Sequence, residues 1–214
     1  VNADDMVIDL GSGDGRTVIA AALRGARAIG VEYDADLVAM SQTRATDAGV
    51  SHRASFIEAD LFDVDLSSAT VITMFLLPDL NLKLRPTLLE LNPGTRIVSN
   101  TWDMGDWIAD ETVQLDPCPG FCTALLWRVP ADVTGTWKTN SGELVAKQMF
   151  QMVSGTIRYG ESNAEITDGR LLGRELTFNA GTSHYQGRID GNRIYGTVAN
   201  NGQRVEWVAT RTTR

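Results

Sequence analysis

A glycine-rich segment and a later glutamate are the residues near the start of the chain whose types and spacing best suit binding chemistry. Asp9-Leu10-Gly11-Ser12-Gly13-Asp14-Gly15 follows one short apolar run, and Glu32 ends the next. Glycines allow a tight turn that brings the backbone close to a ligand, and a helix that begins there offers free N–H groups. A carboxylate at the position of Glu32 can accept hydrogen bonds from ribose hydroxyls. Together these residues predict a site for a nucleoside-containing cofactor.

The glycine spacing differs from that of the dinucleotide fingerprint. The fingerprint has its third glycine three residues after the second, where the pyrophosphate packs. In this chain Gly15 comes two residues after Gly13, and Arg16 follows it. This difference argues against a dinucleotide, and a nucleotide-dependent oxidoreductase is therefore only an alternative. Stronger thermal stabilisation of the chain by NAD than by an adenosyl cofactor would favour that alternative.

The elements that must position these residues alternate between strand and helix signals. Short apolar runs predict strands, and segments without a breaker predict the helices between them. Repeated units of this kind imply a parallel sheet with right-handed crossovers, and such sheets bind ligands at the carboxyl ends of their strands. The predicted strands are Met6–Leu10, Ala28–Glu32, Ala54–Ala59, Thr70–Leu76 and Thr95–Ser99, and the predicted helices are Arg16–Leu23, Ala35–Ala48 and Leu80–Leu91.

Two further strands are predicted on either side of a turn that contains both cysteines of the chain. Val113–Leu115 and Thr123–Val129 flank Cys118-Pro119-Gly120-Phe121-Cys122, which indicates a closing antiparallel hairpin. Free thiols in the turn and a disulfide formed in an oxidising compartment both fit this pattern. We expect no metal site, because the chain has no other cysteine and only two histidines.

The pattern after Pro130 changes to a period of two with glycine-containing turns. The dipeptides Asp168-Gly169, Asp190-Gly191 and Asn201-Gly202 are signals for two-residue hairpins, because both central residues of such turns have positive φ. A similar unit recurs, since Gly169-Arg170-x-x-Gly173 is followed by Gly187-Arg188-x-x-Gly191. This repetition is typical of an up-and-down β-meander.

The expected fold class is therefore α/β for residues 1–131, with a Rossmann-like, mostly parallel sheet and a closing antiparallel hairpin. Residues 132–214 are expected to form a small all-β domain, either a meander or a barrel-like sheet. Charge divides the chain in the same way. Residues 1–131 carry a net charge of −10 and residues 132–214 a net charge of +2.

The overall charge of −8 argues against a nucleic-acid partner, because duplex binders present a basic face to phosphates. No apolar run approaches the roughly 20 residues that a bilayer span requires. A basic-then-apolar signal segment is also absent from the start of the sequence.

Several motifs resemble those of class I S-adenosylmethionine (SAM)-dependent methyltransferases. Val7–Arg16 resembles their first motif, Glu32 matches their acidic ribose-binding position, and Glu58-Ala59-Asp60-Leu61 resembles the motif that contacts the adenine amino group. The resemblance extends over about residues 5–131. Further segments are similar to a prokaryotic branch related to the seven-strand protein-lysine methyltransferases. These segments are Phe75-Leu76-Leu77-Pro78 with Asn81, Leu84-Arg85-Pro86, and Gly94–Ser99. The β-meander resembles the small C-terminal domains that follow such enzymes.

The resemblance implies SAM as the cofactor and assigns roles to individual residues. Asp9 and the glycine loop would lie against the methionine part of SAM, and Glu32 would hold the ribose. Tyr33 would stack on the adenine, while Asp60 would accept a hydrogen bond from its amino group. The full set of expected cofactor-binding residues is Asp9, Gly11, Ser12, Gly13, Asp14, Gly15, Glu32, Tyr33, Asp60 and Leu61.

Methyl transfer from an activated sulfonium requires mainly in-line positioning of the acceptor. The sequence therefore assigns no catalytic residue. Candidates for the acceptor side follow the fourth and fifth strands, at Leu77, Pro78, Trp102 and Asp103. Tryptophans there can bind an amine by cation–π contact, or Trp102 and Trp107 can simply pack under the second domain. The preferred acceptor is a protein lysine or another amine. A small-molecule acceptor and a SAM-binding module without turnover are the alternatives.

The expected partners and cellular location depend on the start of the sequence, the source of SAM and the two cysteines. Family members have a segment before the first strand that helps to cover SAM, whereas this sequence starts close to that strand. We therefore expect an open site or a second copy of the chain that covers it. The cytoplasm is the simplest location, because SAM is made inside cells. A periplasmic location would fit a bond between Cys118 and Cys122.

Overall fold

The structure, a computed structural model, describes residues 1–213 and contains two compact units, one ending at Val129 and the other beginning at Pro130. The first unit has seven strands and three helices. Its strands are β1 (Met6–Leu10), β2 (Arg27–Glu32), β3 (Ala54–Glu58), β4 (Val71–Met74), β5 (Arg96–Asn100), β6 (Glu111–Gln114) and β7 (Thr123–Arg128), and its helices are α1 (Arg16–Leu23), α2 (Ala35–Asp47) and α3 (Pro78–Leu89).

The seven strands form one sheet in the order β3-β2-β1-β4-β5-β7-β6. The first five strands are parallel, and β7 pairs antiparallel with both β5 and β6. The middle strands are apolar on both faces, with Val7, Ile8, Leu10 and Ile72 almost fully buried, as helix-covered parallel strands require. The predicted Rossmann-like sheet with a closing hairpin is confirmed.

The helices begin where local chemistry favours a start. Gly15 is the N-cap residue of α1, and its backbone has the left-handed conformation that glycine adopts readily. The carboxylate of Asp34 caps α2 by accepting hydrogen bonds from the N–H groups of Asp36 and Leu37. Pro78 begins α3, where its missing N–H costs nothing. Among the described residues, no helix has both the length and the hydropathy to cross a membrane.

The second unit contains eight strands joined in chain order into a closed antiparallel barrel. Its interior is filled by large side chains, among them Trp137, Phe178, Tyr185 and Trp207, and the rings of Phe178 and Tyr185 stack 4.6 Å apart. The predicted barrel-like meander is confirmed. The strands are β8 (Gly135–Thr139), β9 (Gly142–Met149), β10 (Met152–Tyr159), β11 (Ser162–Leu172), β12 (Glu175–Ala180), β13 (Ser183–Asp190), β14 (Arg193–Asn200) and β15 (Gln203–Thr213).

Two of the three predicted hairpin turns are wrong. Asp190-Gly191 is displaced by one residue, because Asp190 ends β13 and pairs with Arg193, so the turn consists of Gly191 and Asn192. Asp168-Gly169 lies inside β11, where the pairing with both neighbouring strands shifts register, and Asp168 has φ of +52°. The chain turns instead at Gly173-Arg174, between the paired residues Leu172 and Glu175. The left-handed conformation that Asp-Gly favours serves a β-bulge here, because a bulge and a tight turn require the same local geometry. Asn201-Gly202 does form the predicted two-residue turn.

Candidate functional site

The glycine loop joins β1 to α1 at the carboxyl edge of the sheet. The N–H groups of Gly11 and Ser12 both donate to the carbonyl oxygen of Val31, at 2.9 and 3.0 Å, which ties the loop to β2. Gly13 has φ of +53°, and a Cβ added there would meet no atom within 4 Å. A Cβ on Gly15 would come within 2.8 Å of the Phe56 ring. Gly13 therefore leaves open space for a ligand, whereas Gly15 allows close packing beneath the loop.

Glu32, the last residue of β2, holds the loop from the side. Its Oε2 accepts from the N–H of Gly13 at 2.8 Å, and its Oε1 accepts from the N–H groups of Tyr33 and Asp34 at 2.9 and 3.1 Å. The two parts of the predicted site are thus in direct contact, because β1 and β2 are adjacent parallel strands. Glu32 is thereby hydrogen-bonded to one lining residue of each of two pockets, Gly13 in the larger and Tyr33 in the smaller.

The larger pocket has a volume of about 720 Å³ and lies between the glycine loop and the ends of β4 and β5. Asp9 is a buried carboxylate in its wall and accepts a hydrogen bond from the hydroxyl of Thr73. Burial raises the pKa of Asp9 to about 6, since the hydrogen bond from Thr73 lowers it only in part and the charge of Glu32 raises it further. The lining residues are Asp9, Gly11, Ser12, Gly13, Asp14, Arg16, Thr17, Thr73, Met74, Phe75, Val98, Asn100, Gly120 and Phe121.

The smaller pocket has a volume of about 260 Å³ and is lined by Tyr33, Glu58, Ala59 and Asp60. The Tyr33 side chain is 80% exposed, so its ring is available to a ligand. Asp60 accepts from the N–H of Phe62 at 2.9 Å and shapes the turn after β3. Leu61, which is half-buried, follows it. The predicted adenine-side residues therefore lie together, on the β3 side of Glu32.

Asp14 also lines the larger pocket, but two arginines neutralise its charge. Arg16 and Arg44 lie 2.6 and 2.5 Å from its Oδ2. The hydrogen bond from Arg16 is the main cause that holds the pKa of Asp14 well below its usual range. Asp14 therefore supports the loop through these ion pairs while remaining at the pocket wall.

The four candidates for the acceptor side are not among the residues that line the larger pocket. Leu77 is exposed just before α3, and Pro78 is the first residue of that helix. Trp102 is half-buried, and its carbonyl accepts from the Ser99 hydroxyl at 2.6 Å. Asp103 accepts from the N–H of Gly105 within a turn.

Trp107, also considered for an amine pocket, is fully buried in the first unit. Its ring centroid lies 6.1 Å from that of Trp127, whose indole N–H donates to the Trp107 carbonyl at 2.7 Å. Trp107 therefore belongs to the core beside β7.

The sequence analysis did not assign several lining residues of the larger pocket to the site, among them Phe75, Asn100 and Phe121. Phe75 follows β4 and Asn100 ends β5, so the rule that ligands bind beyond carboxyl strand ends was a usable signal for both. Phe121 lies in the turn between β6 and β7, where Cys118 and Cys122 form a disulfide. No local pattern places that turn beside β4.

A glycine loop after the first strand, a carboxylate at the end of the adjacent strand and this order of seven strands define the class I SAM-dependent methyltransferase. The residues that line the larger pocket fit SAM as the cofactor. The hydroxyl of Ser12 is buried in the wall of the larger pocket and has no hydrogen-bond partner among the described residues, so a ligand can satisfy it. Within residues 1–213 no group of acidic, histidine or cysteine side chains is arranged to hold a metal ion.

Comparison with known proteins leads to the family. Residues 9–111 match the model of the ANTKMT methyltransferase domain. A protein-lysine N-methyltransferase of Saccharolobus islandicus is 41% identical over 119 residues, which cover 54% of this chain and 74% of that protein. The chain belongs to this family of SAM-dependent methyltransferases.

Two further relatives extend the comparison. The adenine nucleotide translocase lysine N-methyltransferase of Mus musculus is 37% identical over 47% of this chain and 45% of its own length. The chain thus spans about half the length of the animal relatives it matches. A structure described as an RNA methyltransferase of Salinibacter ruber with S-adenosylhomocysteine is 47% identical, with a TM-score of 0.58, over 62% of this chain and 86% of that one.

Proposed function

We propose that this chain is a SAM-dependent N-methyltransferase whose acceptor is the lysine side chain of a protein. The observation that carries the proposal is the match to the protein-lysine N-methyltransferase of Saccharolobus islandicus, which extends across 74% of that protein. The activity is assigned to residues 1–131, which contain both pockets. The β-domain of residues 132–214 is assigned no catalytic role.

The cofactor is proposed to lie across the two pockets with its ribose at Glu32. The oxygens of Glu32 already accept from backbone N–H groups, and their remaining lone pairs can accept from ribose hydroxyls. Tyr33 offers its exposed ring to the adenine, and Asp60 can accept from the adenine amino group. Leu61 supplies apolar contact there. On the other side of Glu32, the methionine part is assigned to Asp9, Gly11, Ser12, Gly13, Asp14 and Gly15.

Methyl transfer places modest demands on this chain's own residues. Bound SAM supplies an activated methyl group on a sulfonium. The protein must align the acceptor, exclude water and favour the neutral amine, which a desolvated wall does by lowering the pKa of lysine. Leu77, Pro78, Trp102 and Asp103 are proposed to contact the polypeptide around the target lysine, because they follow β4 and β5 outside the larger pocket.

Charge favours a cationic acceptor over a phosphate backbone. Residues 1–131 carry a net charge of −10, which attracts lysine and repels nucleic acid. RNA remains the second candidate acceptor, because the 47% identical structure from Salinibacter ruber is described as an RNA methyltransferase. A small-molecule amine would suit the same pocket.

A transfer assay with radiolabelled methyl-SAM distinguishes these acceptors. The full chain is incubated with bacterial protein extract, total RNA or small amines, and the products are treated with protease or ribonuclease. We expect label that protease releases, that ribonuclease leaves in place, and that acid hydrolysis yields as methyllysine. Label in RNA or in a small amine would replace the lysine proposal. Binding of SAM without transfer to any acceptor would instead identify a non-catalytic module.

Binding of S-adenosylhomocysteine is expected to weaken in acid because of Asp9. Its pKa of about 6 means that most molecules have a neutral Asp9 at pH 5, and a neutral carboxyl cannot pair with the ligand's ammonium group. One pH unit below the pKa leaves about a tenth of the carboxyl ionised, so the affinity should be about tenfold lower at pH 5 than at pH 7.5. Titration calorimetry across this range measures the effect.

The matched control is Asp9→Asn, which removes the titrating group while keeping the side-chain shape. This variant should bind weakly at both pH values and show no acid-dependent loss. An affinity of the unaltered chain that stays constant from pH 5 to pH 7.5 would remove Asp9 from the ammonium-binding role.

A further inference from the structure

An aromatic pair stands at the wall of the larger pocket opposite the glycine loop. Phe75 follows β4, Phe121 lies in the disulfide-closed turn between β6 and β7, and their ring centroids are 5.0 Å apart. The rings meet edge to face, at an interplanar angle of 63°. Both side chains remain at least half exposed although they contact each other. Exposed aromatic rings in a pocket wall are surfaces on which a ligand can bury apolar area.

The backbone holds Phe121 in this position. Its φ of +56° is uncommon for an aromatic residue, so the surrounding turn must impose it. The disulfide closes the turn, and the N–H of Leu115 donates to the carbonyl of Cys122 at 2.9 Å. A second bond, from the N–H of Thr101 to the carbonyl of Thr123 at 2.7 Å, ties β7 to the end of β5. Phe121 is therefore presented to the pocket by a braced turn.

The polar groups around the pair suit an ammonium group. Asn100, at the end of β5, lines the same pocket, and its side-chain oxygen accepts from the Thr101 hydroxyl at 3.0 Å, which leaves a second lone pair. The charged residues that line the pocket are Asp9, Asp14 and Arg16, and Arg16 is paired with Asp14. The net charge of the wall is therefore negative when Asp9 is ionised.

The shape of the aromatic wall favours a narrow chain over a planar base. Two rings inclined at 63° form an angled corner, whereas a base sandwiched between two rings requires parallel faces. An unbranched alkyl chain can lie in such a corner, and a terminal ammonium can interact with the ring faces and with an amide oxygen.

We infer that Phe75, Phe121 and Asn100 form the acceptor channel, and that they select a primary amine on an unbranched alkyl chain. This inference rests on the proposed function, because it requires SAM in the larger pocket. Phe75 and Phe121 contact the methylene groups of the acceptor, and Asn100 accepts a hydrogen bond from its nitrogen. A lysine side chain meets both requirements, whereas a planar base meets neither.

Cofactor analogues that carry an acceptor arm test the channel without knowledge of the natural substrate. Three ligands are titrated against the full chain by calorimetry: S-adenosylhomocysteine and two analogues whose sulfur is replaced by nitrogen bearing a 2-(butylamino)ethyl or a heptyl group. The first arm places its amine beside the position of the transferred methyl and its butyl chain in the channel, whereas the second has the same length and no amine. We expect the butylaminoethyl analogue to bind at least tenfold more tightly than S-adenosylhomocysteine. The heptyl analogue should gain less, because it has no nitrogen for Asn100.

Variants then locate the arm. Phe121→Ala and Phe75→Ala should each remove most of the gain from either arm, measured as the ratio of the analogue's affinity to that of S-adenosylhomocysteine in the same variant. Thermal unfolding of each variant shows that the fold is intact. Asn100→Leu should remove only the difference between the butylaminoethyl and the heptyl analogue. The control is Leu115→Ala, which truncates an exposed apolar residue of the same hairpin that does not line the pocket, and it should behave as the unaltered chain.

The outcomes separate the channel from the proposed function. No gain from the butylaminoethyl arm, or an equal loss in Leu115→Ala and Phe121→Ala, would overturn the channel while leaving the cofactor site in place. A chain that does not bind S-adenosylhomocysteine at all would overturn the cofactor site, and the channel with it.

Discussion

Replacing Glu32 with alanine is expected to weaken the binding of S-adenosylhomocysteine by about 5- to 150-fold, which corresponds to about 1 to 3 kcal/mol. Two losses contribute. The ribose hydroxyls lose their proposed acceptor, and the N–H of Gly13 loses the Oε2 that fixes the loop at 2.8 Å. Glu32 is hydrogen-bonded to Gly13, which lines the larger pocket, and to Tyr33, which lines the smaller one, so the loss should affect the whole adenosine. Titration calorimetry with the full chain measures it.

Two further variants make the result specific. Glu32→Gln keeps the shape and one acceptor oxygen, so it should retain more affinity than Glu32→Ala. Glu90→Ala makes the same truncation at an exposed residue that caps the end of α3, and it should bind as the unaltered chain does. An unchanged affinity in Glu32→Ala, with the fold preserved, would contradict the ribose role.

Replacing Gly155 with alanine is expected to destabilise the β-barrel severely. Gly155 has φ of +135°, and an added Cβ would lie 1.9 Å from the carbonyl oxygen of Val145 on β9. Backbone strain and the steric clash together cost about 2 to 6 kcal/mol. That cost is comparable with the whole free energy of unfolding of a domain of this size, about 4 to 13 kcal/mol. Thermal unfolding followed by calorimetry measures the change.

Gly191→Ala is the matched control for Gly155→Ala. Gly191 also has positive φ, +56°, but its added Cβ would meet no atom within 4 Å. Its substitution should cost only about 1 to 2 kcal/mol, from the left-handed conformation alone. Equal melting temperatures for the two variants would contradict the steric argument.

The same barrel variant tests the proposed division of labour. Because the assigned cofactor residues all lie within residues 1–131, Gly155→Ala should still bind S-adenosylhomocysteine with unchanged affinity. Loss of that affinity would show that the β-domain contributes to the cofactor site.

Local patterns predicted the first unit closely because its elements are strongly periodic. β1 and α1 have the bounds that the apolar run and the Ala-rich segment indicated, and α2 ends one residue earlier than predicted. The contact between Gly13 and Glu32 could also be anticipated. Residues that end adjacent parallel strands must meet at the same edge of the sheet.

Prediction failed where one local conformation serves two purposes. Asp168-Gly169 has the left-handed preference of a hairpin turn, yet it forms a bulge within β11. The neighbouring strands β10 and β12 decide between these outcomes, because only their register shows that the ladder continues past the dipeptide. The types of these two residues do not determine the register of the strands around them, so the dipeptide alone does not distinguish a turn from a bulge.

The sequence by itself related the residues of the proposed cofactor site, because the glycine loop, Glu32 and Asp60 lie at positions that strand periodicity and chain order connect. Only the tertiary structure brought together the residues of the proposed acceptor channel. β7 pairs with β5 rather than extending the parallel series, and this pairing brings Phe121 to within 5.0 Å of Phe75 across 46 residues of chain. The local pattern predicted the closing hairpin itself, but not which strand the hairpin pairs with. The contact between two rings so distant in the chain depends on that pairing, and no local pattern of side chains specifies it.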